Sequence, residues 1–391
     1  MARDRDQLPD LRRSPGGGAK SGDPGPFAVP EHIARLSPYL PGKPALQLER
    51  ELGITGAIKM ASNENPLGPS PRALEAARRA AGEMHLYPDG ASFALRRGLA
   101  AHHGVDMEEL VVGGGSNELI HLLVRTFCAP GRDEVVTHRH AFISYALAAR
   151  THGVDVVETP VTRELRCDVD ALCAGFGPRT RLVFVANPNN PTGSHLTRAE
   201  LEEVLERAPA RALVVVDEAY HEYAAGLDPD YPAIEPYRAE RPAVVALRTF
   251  SKIHGMAGLR IGYAICDRRA ARRLDQTRRP FNVTSVAQVA ALAALDDREH
   301  VARSLEAAAS GVAALTRGFS GLGLTVLPSL ANFVLVDVGR EADGVYQGLL
   351  ERGVITRPMA AWGLPRHLRV SIASAPDIAR AVDAMAAVLA G

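Results

Sequence analysis

The chain has 391 residues, with 45 Lys plus Arg balanced by 45 Asp plus Glu, which implies no nucleic-acid or membrane-surface field but leaves length enough for two domains with a sizeable core. Four cysteines without CxxC spacing indicate a reduced, cytoplasmic setting. No apolar run approaches the roughly 20 residues of a membrane span, and the start MARDRDQ is followed by no apolar stretch of a signal peptide.

In chain order, residues 1–27 are rich in Arg, Asp, Gly and Pro and poor in large apolar side chains, so a disordered tail is expected there. Residues 33–52 read as a short helix, a proline turn around Tyr39-Leu40-Pro41 and a further turn. Residues 58–62 read as a short strand, followed by the polar turn Asn63-Glu64-Asn65-Pro66-Leu67-Gly68. Helical spacing covers residues 71–82 and 92–103, with the turn Leu86-Tyr87-Pro88-Asp89 between them. At 110–118 an apolar run ends in three glycines, and Ser116 or Asn117 can cap a helix over 119–127. Free amides at a glycine-rich helix start bind anions. Without GxGxxG or a Walker lysine, the pattern suits one compact phosphate better than a nucleotide.

Apolar runs at 134–137, 154–158, 182–186, 213–216, 244–247 and 261–265 then alternate with loops and helices. They predict an α/β fold with a mostly parallel sheet covered on both faces, in which ligands gather at the carboxyl ends of the strands. Polar motifs fall at those ends. Phe142 follows the first run, where its ring can stack on a flat cofactor or simply pack in the core. Asn187-Pro188-Asn189-Asn190-Pro191-Thr192-Gly193 follows the third run and Asp217-Glu218-Ala219-Tyr220 the fourth. A carboxylate at a strand tip needs a cationic partner; a pyridinium nitrogen would serve, with Tyr220 in reach of a ring hydroxyl.

The stretch Arg248 to Tyr263, RTFSKIHGMAGLRIGY, places Lys252 in a small-residue loop between two apolar runs. Taken alone it could be a surface lysine. If buried, the ammonium is costly, and an imine to an aldehyde cofactor would remove the charge. Thr249, Ser251 and Arg260 would then suit a cofactor phosphate. After Pro280 the composition changes. Residues 285–317 are alanine-rich and read as one long helix leading into a smaller α+β unit. That unit carries Arg357 and Arg369, each beside a β-like run, and a guanidinium fork is the usual holder of a carboxylate or phosphate. His102, His103, His138 and His140 lack partners that complete a metal-ligand set, so no metal is expected.

Taken in order, the motifs NENPLG, YPD, GGGSNELI, NPNNPTG, DEAY, RTFSK with AGLRIGY, NFVLV, and ITRP with GLPRHLRVSI resemble the fold-type I pyridoxal-phosphate aminotransferases. Within them the chain is most similar to the histidinol-phosphate aminotransferases, from about residue 30 to the C-terminus. The resemblance implies a large domain over 68–283, a small domain built from 28–67 together with 284–391, and pyridoxal 5'-phosphate as cofactor. Lys252 would join the cofactor covalently and then move a proton between carbons. Asp217 would pair with the pyridine nitrogen, Tyr220 and Asn190 would hold the ring oxygen, and Phe142 would stack on the ring. Ser251, Arg260 and the amides near Ser116 and Asn117 would hold the phosphate. Tyr87 would reach the phosphate of the neighbouring subunit in a homodimer, and Tyr39 would lie near the substrate across the same interface. Asn63, Arg357 and Arg369 would face the substrate.

The implied reaction converts histidinol phosphate and 2-oxoglutarate to imidazole acetol-phosphate and glutamate, a step of histidine biosynthesis. The alternative is an aromatic amino-acid aminotransferase, because Trp362 stands in a loop where relatives often carry tyrosine. A threonine-phosphate decarboxylase shares the lysine and phosphate motifs and is a further possibility. A DNA-binding regulator on this scaffold would need a helical domain ahead of the fold, and residues 1–27 are too short and glycine-rich for one.

Overall fold

Runs of aliphatic residues build the strands of this computed structural model, in which residues 26–38 and 42–391 are described. Tyr39 and all but residues 26 and 27 of the expected disordered tail lie outside the described residues. The strands are β1 (Ile58–Lys59), β2 (Leu110–Gly113), β3 (Glu134–His138), β4 (Asp155–Thr159), β5 (Thr180–Ala186), β6 (Leu213–Asp217), β7 (Val244–Thr249), β8 (Gly262–Ile265), β9 (Thr325–Val326), β10 (Phe333–Asp337), β11 (Val354–Ile355), β12 (Arg357–Pro358) and β13 (His367–Ser371).

A seven-stranded sheet has the order β2-β8-β7-β6-β5-β3-β4. The pairings among β3, β4, β5, β6 and β7 are all parallel, whereas β8 is antiparallel to both β7 and β2. The reversal has a local cause. The chain returns from β7 to β8 through residues 250–261, which hold one turn of 3-10 helix and no helix to cross the sheet, a connection that suits antiparallel neighbours. β2, β3, β7 and β8 are buried along their whole length, as expected of strands covered on both faces. The edge strand β4 is open to solvent at most positions.

Register decides where the motifs meet. Ala186 lies beside Asp217, and Asp217 beside Leu247, so β5 and β6 end at one level and β7 runs two residues beyond it. A second, antiparallel sheet has the order β12-β13-β10-β9, and β1 pairs with β11 in parallel. Arg357 stands directly opposite Arg369, which puts both guanidinium stems on one face. Among the described residues, no helix is long and apolar enough to cross a membrane.

Three local expectations change. The helix expected over 285–317 is two helices, Ser285–Leu295 and Arg298–Gly321. The break falls at Asp296-Asp297, where the Asp297 carboxylate accepts from the His300 amide at 3.2 Å and from the Ser70 hydroxyl. Aspartate competes for backbone donors and so starts a helix better than it continues one. Ala287, Ala290, Ala291 and Ala294 of the first helix pack into the core of the large sheet. The turn expected before Leu52 is the helix Ala45–Leu52. Finally, neither Ser116 nor Asn117 caps the next helix. Gly115 (φ 86°) is the N-cap of Ser116–Phe127, so both residues sit in its first turn. Their contribution is therefore first-turn amides, which have no partner within a helix.

Candidate active site

The loop after β7 is held by backbone contact. Gly255 has φ +68°, and a Cβ there would meet the Gly68 carbonyl oxygen at 1.9 Å. The Asn65 side chain donates to the Ile253 carbonyl at 2.8 Å. The turn 63–68 thus clamps the segment carrying Lys252. The Lys252 amine lies 3.3 and 3.4 Å from the carbonyls of Ser62 and Asn63 and 5.6 Å from the centre of the Tyr220 ring. Burial, reinforced by the charge of Arg369, lowers its pKa to about 7. Both effects favour the neutral amine.

Asp217 ends β6 with 4% of its surface exposed. Its Oδ2 accepts from the Tyr145 hydroxyl at 2.9 Å and its Oδ1 from the Ala219 amide at 3.2 Å. Burial raises its pKa to about 6, and those two hydrogen bonds limit the rise. Tyr220 is buried against Phe333, and its hydroxyl accepts from Asn63 Nδ2 at 2.8 Å. Burial pushes its pKa up to about 12, so it stays a neutral phenol.

One cavity is lined by Lys252, Asp217, Tyr220, Asn190, Phe142, Ser116, Asn117, Ser251 and Arg260. At one end Arg260, itself at φ +52°, donates to the Ser251 hydroxyl at 3.3 Å. Its guanidinium lies against Gly115, where a Cβ would come within 2.7 Å of Nη2, and a Cβ on Gly262 would come within 2.8 Å of the Ser116 amide. Glycine at both positions brings a cation, a hydroxyl and the helix start together, a set suited to one phosphate dianion. At the other end, Asn63, Arg357, Arg369 and Trp362 line an adjoining cavity that shares Phe142, Asn190 and Lys252. Arg369 donates to Asn190 Oδ1 and to the Ala61 carbonyl, and Arg357 lies 5.5 Å from the Trp362 ring. A phosphate cradle, the Phe142 ring, a buried carboxyl group and a buried lysine amine on one cavity fit pyridoxal 5'-phosphate in donor chemistry.

One expected residue is not brought into this cavity: Tyr87 is 84% exposed and stacks on Phe281, with ring centres 4.9 Å apart. Tyr39 lies outside the described residues. Conversely, Tyr145, Ser371 and Asn332 belong to the site's framework but were not singled out; Asn332 and Ser371 lie inside the motifs NFVLV and GLPRHLRVSI, whereas Tyr145 lies in none of the motifs. Tyr145 holds Asp217, the Ser371 hydroxyl bonds both the Asn63 amide and Asn63 Oδ1 at 2.8 Å, and Asn332 donates to the Asn63 carbonyl. Only strand register and packing place these groups. Among the described residues, Glu218, His221 and Glu235 lie close enough to hold a metal ion. The buried Arg248 guanidinium already donates to both carboxylates, so this group reads as an ion-pair network.

The profile of the family "Aminotransferase class I and II" matches residues 55–385. The chain is 47% identical over 365 residues to a histidinol-phosphate aminotransferase of Anaeromyxobacter sp., with 92% of this chain and 99% of the relative covered. It is 46% identical over 360 residues to histidinol-phosphate aminotransferase 2 of Pseudomonas aeruginosa, covering 92% and 96%. Among solved structures it is similar to the histidinol-phosphate aminotransferase of Sinorhizobium meliloti in complex with pyridoxal-5'-phosphate, with a TM-score of 0.84, 29% identity, and 93% and 98% of the two chains covered. With the fold, the site and these relatives in agreement, the chain belongs to the class I and II aminotransferases and, within them, to the histidinol-phosphate aminotransferase family.

Proposed function

We propose that the protein is a pyridoxal-phosphate-dependent aminotransferase that moves the amino group of histidinol phosphate to 2-oxoglutarate. The observation that carries this reading is the convergence of Lys252 and Asp217 on one cavity flanked by two cationic ends, Arg260 on one side and Arg357 with Arg369 on the other. When bound, pyridoxal phosphate supplies an electron sink for the carbon–hydrogen bond that must break. Lys252 would hold the cofactor aldehyde and, as an amine whose neutral form burial favours, would move the proton between the two carbons. Asp217 holds a proton at the ring nitrogen. Tyr220 and Asn190 orient the ring oxygen, and Phe142 covers the ring face. Arg260, Ser251 and the amides of Ser116 and Asn117 anchor the cofactor phosphate. Arg357, Arg369 and Asn63 orient the substrate, whose phosphate suits paired guanidinium groups.

The same reading makes the active form a cytoplasmic homodimer. The exposed apolar side chains of Leu86, Tyr87 and Phe281, which line one cleft, support a contact between copies in which Tyr87 would reach toward the partner's phosphate cradle. The division into a larger unit, 68–283, and a smaller one, 28–67 with 284–391, belongs to this reading too, the helix Ser285–Leu295 resting on the larger unit's core.

The test is an absorption spectrum of the purified protein with pyridoxal phosphate. A visible band that histidinol phosphate bleaches and 2-oxoglutarate restores is the expected result, with a larger kcat/KM for histidinol phosphate than for phenylalanine. The reverse ranking overturns the substrate assignment, and no band overturns the cofactor.

A further inference from the structure

Asp217 is held by a residue outside the motif that contains it. Tyr145 sits in the first turn of the helix Ser144–Thr151, which follows β3, and its side chain is fully buried. Its ring lies parallel to Phe184 of β5, with centres 4.7 Å apart and planes 8° apart. It meets Phe142 edge to face, with centres 5.8 Å apart and planes at 85°. Phe184 is itself tied across the sheet, because its carbonyl accepts from the Thr137 hydroxyl of β3 at 3.0 Å. The tyrosine therefore has little rotational freedom, and its hydroxyl ends 2.9 Å from Asp217 Oδ2.

We propose that Tyr145 is a positioning residue that aims the Asp217 carboxylate at the cofactor nitrogen and keeps it charged, while its ring edge braces the Phe142 ring. The argument rests on the cofactor reading given above and extends it. A hydroxyl donating to a carboxylate favours the ionised form, because the bond is stronger to the anion than to the acid. The Ala219 amide fixes the other oxygen. With both oxygens tethered, the carboxylate plane is set before the cofactor arrives, at the wall of the cavity that Tyr145 and Asp217 line together.

The groups acting on Asp217 come from each neighbouring segment. Lys252, from the loop after β7, favours its charge; Glu218, next in the chain, opposes it. Tyr220 lies close on the same segment, and Tyr145 approaches from the helix after β3. Of these, only Tyr145 donates a side-chain hydrogen bond to the carboxylate among the described residues. Removing that hydroxyl leaves burial to push the Asp217 pKa further up.

The experiment compares wild type, Tyr145→Phe and Phe184→Leu. Phenylalanine keeps the ring, its packing on Phe184 and its contact with Phe142, but loses the donor. Leucine at 184 loosens the packing and leaves the donor in place. The first readout needs no cofactor: the Asp217 carboxyl is titrated by 13C NMR in the cofactor-free protein. Its midpoint is expected to move to higher pH in Tyr145→Phe only. The second uses the holoenzyme. There kcat in Tyr145→Phe is expected to fall roughly tenfold to a hundredfold, the worth of one hydrogen bond to a charged group, with little change in KM for histidinol phosphate. The acid limb of its pH profile is expected to move upward, because catalysis needs Asp217 ionised. An unmoved Asp217 midpoint in Tyr145→Phe overturns the proposal, as does an equal shift in Phe184→Leu. If the midpoint moves while wild type forms no cofactor band, the carboxylate assignment stands and the cofactor reading fails, so the two failures are separable.

Discussion

Asp217 and Lys252 are each held by the fold in a protonation balance that the cofactor-free chain finds costly. For Asp217 the folded pKa of about 6 lies above the ordinary 3.8, so the folded state binds more protons than the unfolded one between these values. Stability of the cofactor-free protein therefore falls as pH rises from about 4 to about 6, by on the order of 3 kcal/mol from this group alone. For Lys252 the folded pKa of about 7 lies below 10.5, so its contribution rises with pH across that interval. Asp217→Asn is expected to flatten the acid slope. Thermal unfolding of the cofactor-free protein between pH 4 and 6 should show a shallower fall for the variant than for wild type; identical slopes would contradict the raised pKa. Such stored cost is what a cationic ring nitrogen and an aldehyde would relieve on binding.

At the level of elements, the site is a set of strand ends locked to one turn. The buried ion pair from Arg248 Nε to Glu218 at 2.8 Å ties β7 to the residue after β6, so the segments carrying Lys252 and Asp217 move together. The Glu218 amide also donates to the Leu247 carbonyl, continuing the ladder one residue past the strand. The second lock is the approach of Gly255 to the Gly68 carbonyl, which has no room for a methyl group. Gly255→Ala carries both a left-handed backbone penalty and a clash, so it should cost more than about 2 kcal/mol. Because the strain falls on the loop and not on the sheet, kcat should drop by an order of magnitude or more. A variant with wild-type Tm and kcat would show that the turn does not clamp Lys252.

For the whole molecule, the apolar patch of Leu86, Tyr87 and Phe281 lies on the surface, so a lone chain exposes it to water. Burying it against a second copy is the expected remedy. Wild type should sediment at twice the chain mass, and Leu86→Asp should shift the equilibrium toward single chains and lower the specific activity with dilution. A wild-type protein that sediments as one chain at assay concentration would remove the proposed dimer and the cross-subunit role of Tyr87.

The alternation of aliphatic runs with polar strand tips was enough, by itself, to place Asp217, Tyr220, Phe142 and Lys252 at the carboxyl ends of a mostly parallel sheet. Such patterns are local, because a buried strand and the loop that follows it are adjacent in the chain. The pairing of Arg357 with Arg369, the reversal of β8 and the break at Asp296-Asp297 were decided by tertiary structure. So was the hydrogen bond from Tyr145 to Asp217, which joins residues 72 positions apart. Register between strands and the approach of one side chain to another depend on packing across the core, and no spacing within a single stretch of sequence encodes them.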